Sequence, residues 1–418
     1  MIKKKDKDQQ SSKIIIYFGD QWDDFWRRRQ QIAFRLSQYD GIGLVFYIEL
    51  PLTLVTFLRY KLGLTSAVVS AQCRHFLRQG PIFRINRKLY VHTPLLPFPI
   101  RLTGKLFHDI NAFLGKLQIK IILKYLFKSS TIKDRIIWVS LPYLYNIYNE
   151  SPFNFISFGL KCYDVSEDIT MRPLFSSERK IEELQKIRKW DTELTTKADQ
   201  VFVCSKIVFS KKQKLNQNTH LLPNGVDMNV FRFDAPKKRV PVELFNLPTP
   251  ILSYVGGIFC SETDLKLLKY IASKRPHWNI ILIGPADKRS KELLKECNNI
   301  HFLGPKHYEE LAQYLAYSDV CLGIYKPIDG NKEGPSLKIL IYLALGKPIV
   351  STAAGGVELF PDLIFITDNY GEFLKQVENA LNDNNTILKE KRVAAVRKYS
   401  WDSHVNELYD FLIKKNIS

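Results

Sequence analysis

No stretch of this sequence is both long and apolar enough to read as a membrane span. The longest apolar run, Gly41 to Leu58, holds Glu49 and Pro51 in its middle, so it reads as a strand, a turn and a helix. The basic start, MIKKKDKDQQSSK, is followed only by Ile14 to Phe18 before Gly19-Asp20, too short for the core of a secretion signal. Cysteine is sparse. Cys73, Cys162, Cys204, Cys260, Cys297 and Cys321 stand singly, without the close pairs of a zinc site or the density of a disulfide scaffold, which points to a reducing compartment. No Gly-x-Gly-x-x-Gly follows the first strand, so the dinucleotide fingerprint is missing there. The one Asp-x-Asp, Asp6-Lys7-Asp8, lies in a polar tail with no strand before it.

Acidic residues are also short, and unevenly so. Lys and Arg total 61 against 42 Asp and Glu, a net +19. Residues 1–222 hold 36 basic and 19 acidic side chains, a net +17, whereas residues 223–418 hold 25 and 23, a net +2. A polyanionic partner for the first half follows from this asymmetry, and nucleic acid and an anionic membrane surface both qualify. With 418 residues, 45% hydrophobic and 12% aromatic, the chain suits two domains of roughly 200 residues each.

What is present alternates. Lys13 to Phe18 is a buried-strand run, a helix follows from about Phe25 to Tyr39 carrying Arg27, Arg28 and Arg29, and Gly43 to Glu49 is the next strand. Lys88 to Thr93 reads as a strand before the proline-rich PLLPFP. From Ile110 to Phe127, residues Ile110, Phe113, Leu114, Leu117, Ile121, Ile122 and Tyr125 keep helical spacing, and Lys116, Lys120, Lys124 and Lys128 recur every fourth residue. Those lysines are either the solvated face of a packed helix or a surface that lies on anionic headgroups. Asp134 to Ser140 and Phe155 to Tyr163 are strands, the second running into YDVSED; Ser176 to Lys197 is a charged helix and Gln200 to Cys204 another strand.

A linker spans 223–249, which contains three prolines after Phe231 and no periodicity. Beyond it the pattern restarts with a strand at Ile251 to Val255 and again alternates strand and helix. The expected fold class is therefore α/β, with two Rossmann-like doubly wound domains facing a cleft. The first is residues 1–222, the second residues 250–399, and a final helix, 400–418, crosses back to the first.

The densest signal is GIYKPIDGNKEGPSLKILIYLALGKPIVST, Gly323 to Thr352. It proposes a strand ending near Tyr325, a loop, a helix opening at Pro335 and a strand from Pro348. Free backbone N–H groups and the positive end of the helix dipole face the loop, with Glu333, Ser336 and Lys338 around it, so a phosphate would fit. The plainer alternative is that Ser336 and Glu333 only cap the helix.

This segment resembles the nucleotide-sugar signature of GT-B glycosyltransferases of the family 4 kind, in which a glutamate, seven residues and a second glutamate precede Ala-x-Gly-x-Pro-Val-Val. Glu333 matches the first glutamate, and Ile341 stands at the second. PNGVD, YVGGI with Asp264 downstream, HWNIILIGP, NIHFLGP, SDVCLGIYKP and the closing YSWDSHVNEL are similar to the successive landmarks of that fold's C-terminal half. The first half is similar, more loosely, to the bacterial subgroup acting in surface-polysaccharide synthesis, the glucuronosyltransferase-like enzymes. Roughly three quarters of the chain is covered.

The resemblance implies a hexosyltransferase binding a nucleotide-sugar on the second domain and an acceptor on the first. It implies donor contacts from Lys338, Glu333, Gly334, Ser336, Tyr325, Gly257 and Asp264. Lys338 matches a lysine that faces the diphosphate, and the first glutamate contacts sugar hydroxyls. The second glutamate holds the ribose in the family; Ile341 offers no hydrogen bond. Enzymes of the other main glycosyltransferase fold hold a metal on Asp-x-Asp. The expectation here is metal-independent chemistry without a cofactor, with Lys338 and the N–H groups of Gly334 to Ser336 stabilising the leaving diphosphate. For an inverting transfer Asp168, then Asp164, would be the acceptor's base; Asp20, Asp23, Asp24 and His92 also lie at strand ends. The expected partners are a nucleotide-sugar, a lipid-linked or oligosaccharide acceptor and an anionic membrane surface, with the protein cytoplasmic and peripheral on the inner face of the membrane. Two other readings are a non-catalytic partner or scaffold, suggested by Ile341, and nucleic-acid binding, for which no recognition module is visible.

Overall fold

The computed structural model describes residues 12–22, 26–65, 67–100, 105–126, 135–155, 159–166, 178–234, 239–326, 334–383 and 385–414. Glu167 and Asp168, like Asp23, Asp24 and Glu333, lie outside the described residues.

Two parallel sheets carry the chain. The first half runs β1 (Lys13–Phe18), α1 (Arg28–Leu36), β2 (Ile42–Ile48), β3 (Leu52–Thr53), α2 (Leu54–Lys61), α3 (Ala67–Gln79), β4 (Ile82–Arg84), β5 (Leu89–His92), β6 (Leu95–Leu96), α4 (Lys105–Leu126) and β7 (Arg135–Val139). It continues through α5 (Leu144–Tyr148), β8 (Leu160–Val165), α6 (Glu178–Lys197), β9 (Gln200–Val203), α7 (Lys206–Gln213) and β10 (Thr219–Leu221). The second half runs β11 (Ile251–Val255), α8 (Leu265–Lys274), β12 (Asn279–Ile283), α9 (Lys288–Leu294), β13 (Ile300–Gly304), α10 (Tyr308–Ala316) and β14 (Val320–Gly323). It ends with α11 (Leu337–Ala344), β15 (Ile349–Ser351), β16 (Phe365–Ile366), α12 (Tyr370–Leu381), α13 (Thr386–Val396) and α14 (Trp401–Lys414).

The first sheet has strand order β10-β9-β8-β7-β1-β2-β5-β4 and the second β13-β12-β11-β14-β15-β16. Among the described strands only β4, on an edge, pairs antiparallel with its neighbour. Strands such as KIIIYF and NIILI are buried along their whole length and apolar after the first residue because helices cover both faces, which the sheet's parallel connections require. Each sheet accordingly has apolar cores on its two faces.

Among the parallel strands of each sheet the order reverses once, between β1 and β7 in the first and between β11 and β14 in the second. At such a reversal the connecting loops leave in opposite directions and open a crevice beyond the strand carboxyl ends, where open α/β sheets bind ligands.

The halves are tied at the exit of the first. Val226 bridges to Ser400, and α14 returns to pack Trp401, Val405, Leu408 and Leu412 against the first sheet's core. The segment between the sheets is not free chain, since Val226, Phe231 and Leu244 are buried in the second sheet's core.

Helix α4 departs from the usual arrangement. Ile119 joins the first core with Ile122 and Leu123 packed against it, Asn111, Ala112 and Gly115 are also buried, and an added Cβ on Gly115 would come 3.0 Å from the Tyr148 ring. Phe113, Leu117, Ile121 and Tyr125, part of the helically spaced apolar set, are exposed instead. Among the described residues no helix is long and apolar enough to cross a membrane.

Candidate active site

The crevice of the second sheet is built from two glycine turns and a lysine. After β11 the chain turns through Gly256, whose φ of +132° suits glycine, and Gly257. Lys338, in the first turn of α11, reaches back over this turn. Its Nζ donates to the Tyr254 hydroxyl at 2.8 Å and lies 4.1 Å and 4.6 Å from the ring centroids of Tyr254 and Tyr325. Both ring faces favour the ammonium. An added Cβ on Gly256 would sit 3.0 Å from that Nζ, so the missing side chain leaves the lysine its place.

Burial works against the charge on Lys338, but the Tyr254 and Tyr325 oxygens outweigh it and raise its pKa above the ordinary value. The group is therefore an ammonium at neutral pH. Of its three N–H donors, the described residues take one, for Tyr254.

The helix behind it begins at Leu337, not Pro335. Ser336 is the N-cap residue, yet its side chain does not cap; it is hydrogen-bonded to the Tyr325 hydroxyl. The expectation of a phosphate cradle from the N–H groups of Gly334 to Ser336 needs correction. Pro335 has no N–H, and that of Ser336 donates to the Gly355 carbonyl at 2.8 Å. The first helical bond, Leu340 N–H to Ser336 O, leaves the N–H groups of Leu337, Lys338 and Ile339 without a partner inside the helix, and these carry the positive end of its dipole.

The Gly355-Gly356 turn clamps this start. Gly356 has φ +74°, and a Cβ on it would lie 2.3 Å from Gly334 C and Pro335 N, both backbone atoms. Gly356→Ala is therefore expected to destabilise the fold by at least about 1–2 kcal/mol, the usual penalty for a side chain in that left-handed region, before the clash is added. Thermal melts should show the loss, and a Tm equal to that of the unaltered chain would disprove the clamp. Gly334 itself, at φ +64°, lies beside Ser205, with an added Cβ 3.4 Å from the Ser205 Cβ. Ser205 caps α7 of the first half, accepting from Val208 N–H at 3.3 Å. The starts of α7 and α11 thus approach across the cleft.

Other named positions are placed differently. Tyr325 is buried and forms the wall under Lys338, with its N–H on Thr352 Oγ1 at 3.0 Å. Burial raises its pKa, so it stays a neutral phenol. The Gly257 carbonyl is occupied, accepting from the Tyr254 hydroxyl at 3.1 Å and the Thr263 hydroxyl at 3.0 Å. Asp264 does not face the crevice as a free acid. It caps α8 through the Lys266 and Leu267 N–H groups and accepts from the Tyr370 hydroxyl at 2.8 Å. Ile341 is 1% exposed and packed in the second core, because it falls on the inward side of α11.

In the first half, Asp164 is the clear correction. It is completely buried and pairs with Arg28, which donates to its oxygens at 2.8, 2.9 and 3.2 Å. A carboxylate so engaged has no path to an acceptor hydroxyl. The crevice between β1 and β7 is instead lined by Asp20 and Arg29. Arg29 donates to Asp20 at 2.7 Å and to the Ser166 hydroxyl at 2.8 Å. Burial opposes the Arg29 charge and Asp20 outweighs it, so the guanidinium's pKa rises. His92 at the end of β5 uses Nδ1 toward the Pro81 carbonyl at 2.9 Å, and burial pushes its pKa down to about 4. It is therefore neutral, with the proton on Nδ1.

Tyr254, Gly256 and Gly356 were not singled out from sequence. Tyr254 and Gly256 lie in YVGGI, read above only as a family landmark, and Gly356 lies in TAAGG; the fold brings the first turn to Lys338 and the second to Gly334 and Pro335.

Comparisons with known proteins agree with this fold. Residues 250–383 match the family described as glycosyl transferases group 1. A Bacillus subtilis (strain 168) protein named as a teichuronic acid biosynthesis glycosyltransferase, TuaH, is 26% identical over 258 residues, 57% of this chain. The match spans 63% of that relative's length. Among solved structures, the sucrose-phosphate synthase of Thermosynechococcus elongatus superposes with a TM-score of 0.67 at 15% identity, over 96% of this chain and 98% of that one. HepE of Anabaena in complex with UDP and glucose gives 0.59 at 15% identity, over 95% and 98%.

Proposed function

We propose, from the premise that this is a GT-B chain of the surface-polysaccharide kind whose residues 250–383 form a glycosyl transferases group 1 domain, that it transfers a hexosyl group from a nucleotide-sugar to a lipid-linked or polysaccharide acceptor at the inner membrane face. One observation carries the reading. A charged lysine, held by two tyrosine rings over a glycine turn, stands at a helix start in the crevice where the second sheet reverses its order. That is the chemistry a leaving nucleoside diphosphate requires, because negative charge grows on it as the glycosidic bond breaks.

The donor's diphosphate lies against Lys338 and the N–H groups of Leu337 to Ile339, in a metal-independent reaction. Glu333 and Ser336 are the proposed sugar and phosphate contacts. Asp168 is the proposed base for an inverting transfer, since it follows β8 closely in sequence and Asp164 is already committed to Arg28. HepE of Anabaena, similar to this chain in fold, is in complex with UDP and glucose, which supports a nucleoside-diphosphate donor. Ile341, on which the scaffold reading rests, is packed in the core and makes no ribose contact, so binding of a nucleoside diphosphate is what separates the two readings.

Nucleoside diphosphates are expected to stabilise the protein. At a hundred times its Kd such a ligand adds about 2.7 kcal/mol, readable as a raised Tm. A chain whose melting ignores every nucleoside diphosphate and nucleotide-sugar would not be a transferase of this kind.

A further inference from the structure

Helix α2 carries Leu54 and Leu58 one turn apart, with Leu62 one turn further on at its C-cap; all three are exposed, by 53%, 61% and 63%, and no residue of α2 is buried. A surface helix ordinarily turns such a stripe inward. Helix α4 repeats the arrangement, with Leu106, Phe113, Leu117 and Ile121 on one exposed side and Lys105, Lys120 and Lys124 exposed beside them. Single exposed leucines are ordinary, but two helical stripes are not.

The two helices hang on one small ribbon. Strand β3 runs directly into α2 and pairs with β6, and α4 is tied to β6 by Gln118, which accepts from Leu95 N–H at 3.1 Å and donates to Leu95 O at 2.9 Å. The segment that contains them, residues 54–126, holds twelve Lys and Arg and a single acid, Asp109. Asp109 accepts from Asn149 at 2.7 Å. Most of the chain's positive excess is therefore concentrated where its apolar side chains are exposed. A protein partner would need an apolar groove ringed by acids, whereas an anionic bilayer offers an apolar interior beneath a negative surface along its whole extent.

We propose that the outer faces of α2 and α4 form a bilayer-docking surface. The leucines and aromatics enter the headgroup boundary, and Arg59, Lys61, Lys105, Lys120 and Lys124 meet anionic headgroups. The proposal rests on the membrane-face acceptor reading above and names the surface that would deliver it.

The full-length protein should sediment with vesicles of phosphatidylglycerol and phosphatidylcholine but not with phosphatidylcholine alone, and raised salt should release it. The pair Leu58→Asn and Leu62→Asn, and separately Phe113→Asn with Ile121→Asn, should each weaken partitioning by about tenfold. Exposed positions leave the fold intact, which an unchanged Tm would verify. Failure to bind anionic vesicles, or binding by both variants as tight as that of the unaltered protein, overturns the proposal. So does a dimer that dissolves on Leu58→Asn with Leu62→Asn, since the face would then be a contact between copies. If nucleoside diphosphates still raise the Tm when vesicle binding fails, the docking surface falls alone and the transfer reading stands.

Discussion

Lys338→Ala is expected to lower kcat/KM for sugar transfer by about 10²-fold, or ~2.7 kcal/mol of transition-state stabilisation. The size follows from the position of the ammonium. It is held in advance by Tyr254 and by two ring faces, so little reorganisation is needed when charge develops on the leaving diphosphate. The fold should survive the change. The Tyr254 hydroxyl keeps its own acceptor, the Gly257 carbonyl, and loses only the proton donated to it. Lys338→Arg is not expected to restore full activity, because the ammonium already stands close to Gly256 and a planar guanidinium is broader. Steady-state kinetics decides the matter, and a loss under about tenfold in Lys338→Ala would remove the role. Nucleoside-diphosphate stabilisation of the same variant should shrink as well, because the lysine meets the diphosphate before and after the bond breaks.

The second large effect belongs to the first half and concerns stability. Breaking the Arg28–Asp164 pair from either side is expected to cost about 3–5 kcal/mol, because the surviving charge would be buried without a partner. Arg28 does more than neutralise Asp164. It also donates to the carbonyls of Leu222 at 2.6 Å and Pro223 at 3.1 Å, so it joins α1, the end of β8 and the chain's exit from the first sheet. Removing both side chains together should cost less than the two single losses added, which a double-mutant cycle in urea would measure. If Asp164→Asn kept full stability and lost transfer, the carboxylate would return as a candidate base. An unfolded or strongly destabilised Asp164→Asn would confirm its structural place.

Much of the architecture was legible because apolar strands covered on both faces leave an unmistakable run. KIIIYF marks β1 to the residue, and the strand and helix alternation after Ile251 yields the doubly wound class. Edge strands were harder. β4 and β10 span three residues each and are partly exposed, so neither leaves a continuous apolar run. Helix α4 shows a different limit. Its spacing announces a helix with an apolar stripe, but spacing cannot say what the stripe faces, and here the contact with the core is made by Ile119, Ile122 and Leu123 while Phe113, Leu117, Ile121 and Tyr125 are exposed.

The same division runs through the site. By itself the sequence determined the class of fold, the helix start that carries Lys338 and the excess of positive charge in the first half. Those are local properties, set by apolar period, turn residues and composition. Only the tertiary structure decided that Asp164 is held by Arg28, 136 positions away, that Ile341 faces the core, and that Tyr254 and Gly256 meet Lys338 from 84 and 82 positions upstream. Pairing across such separations depends on strand order and on which way a side chain leaves its helix. Neither is written in any short stretch of residues, because both arise when the two sheets close over their cores.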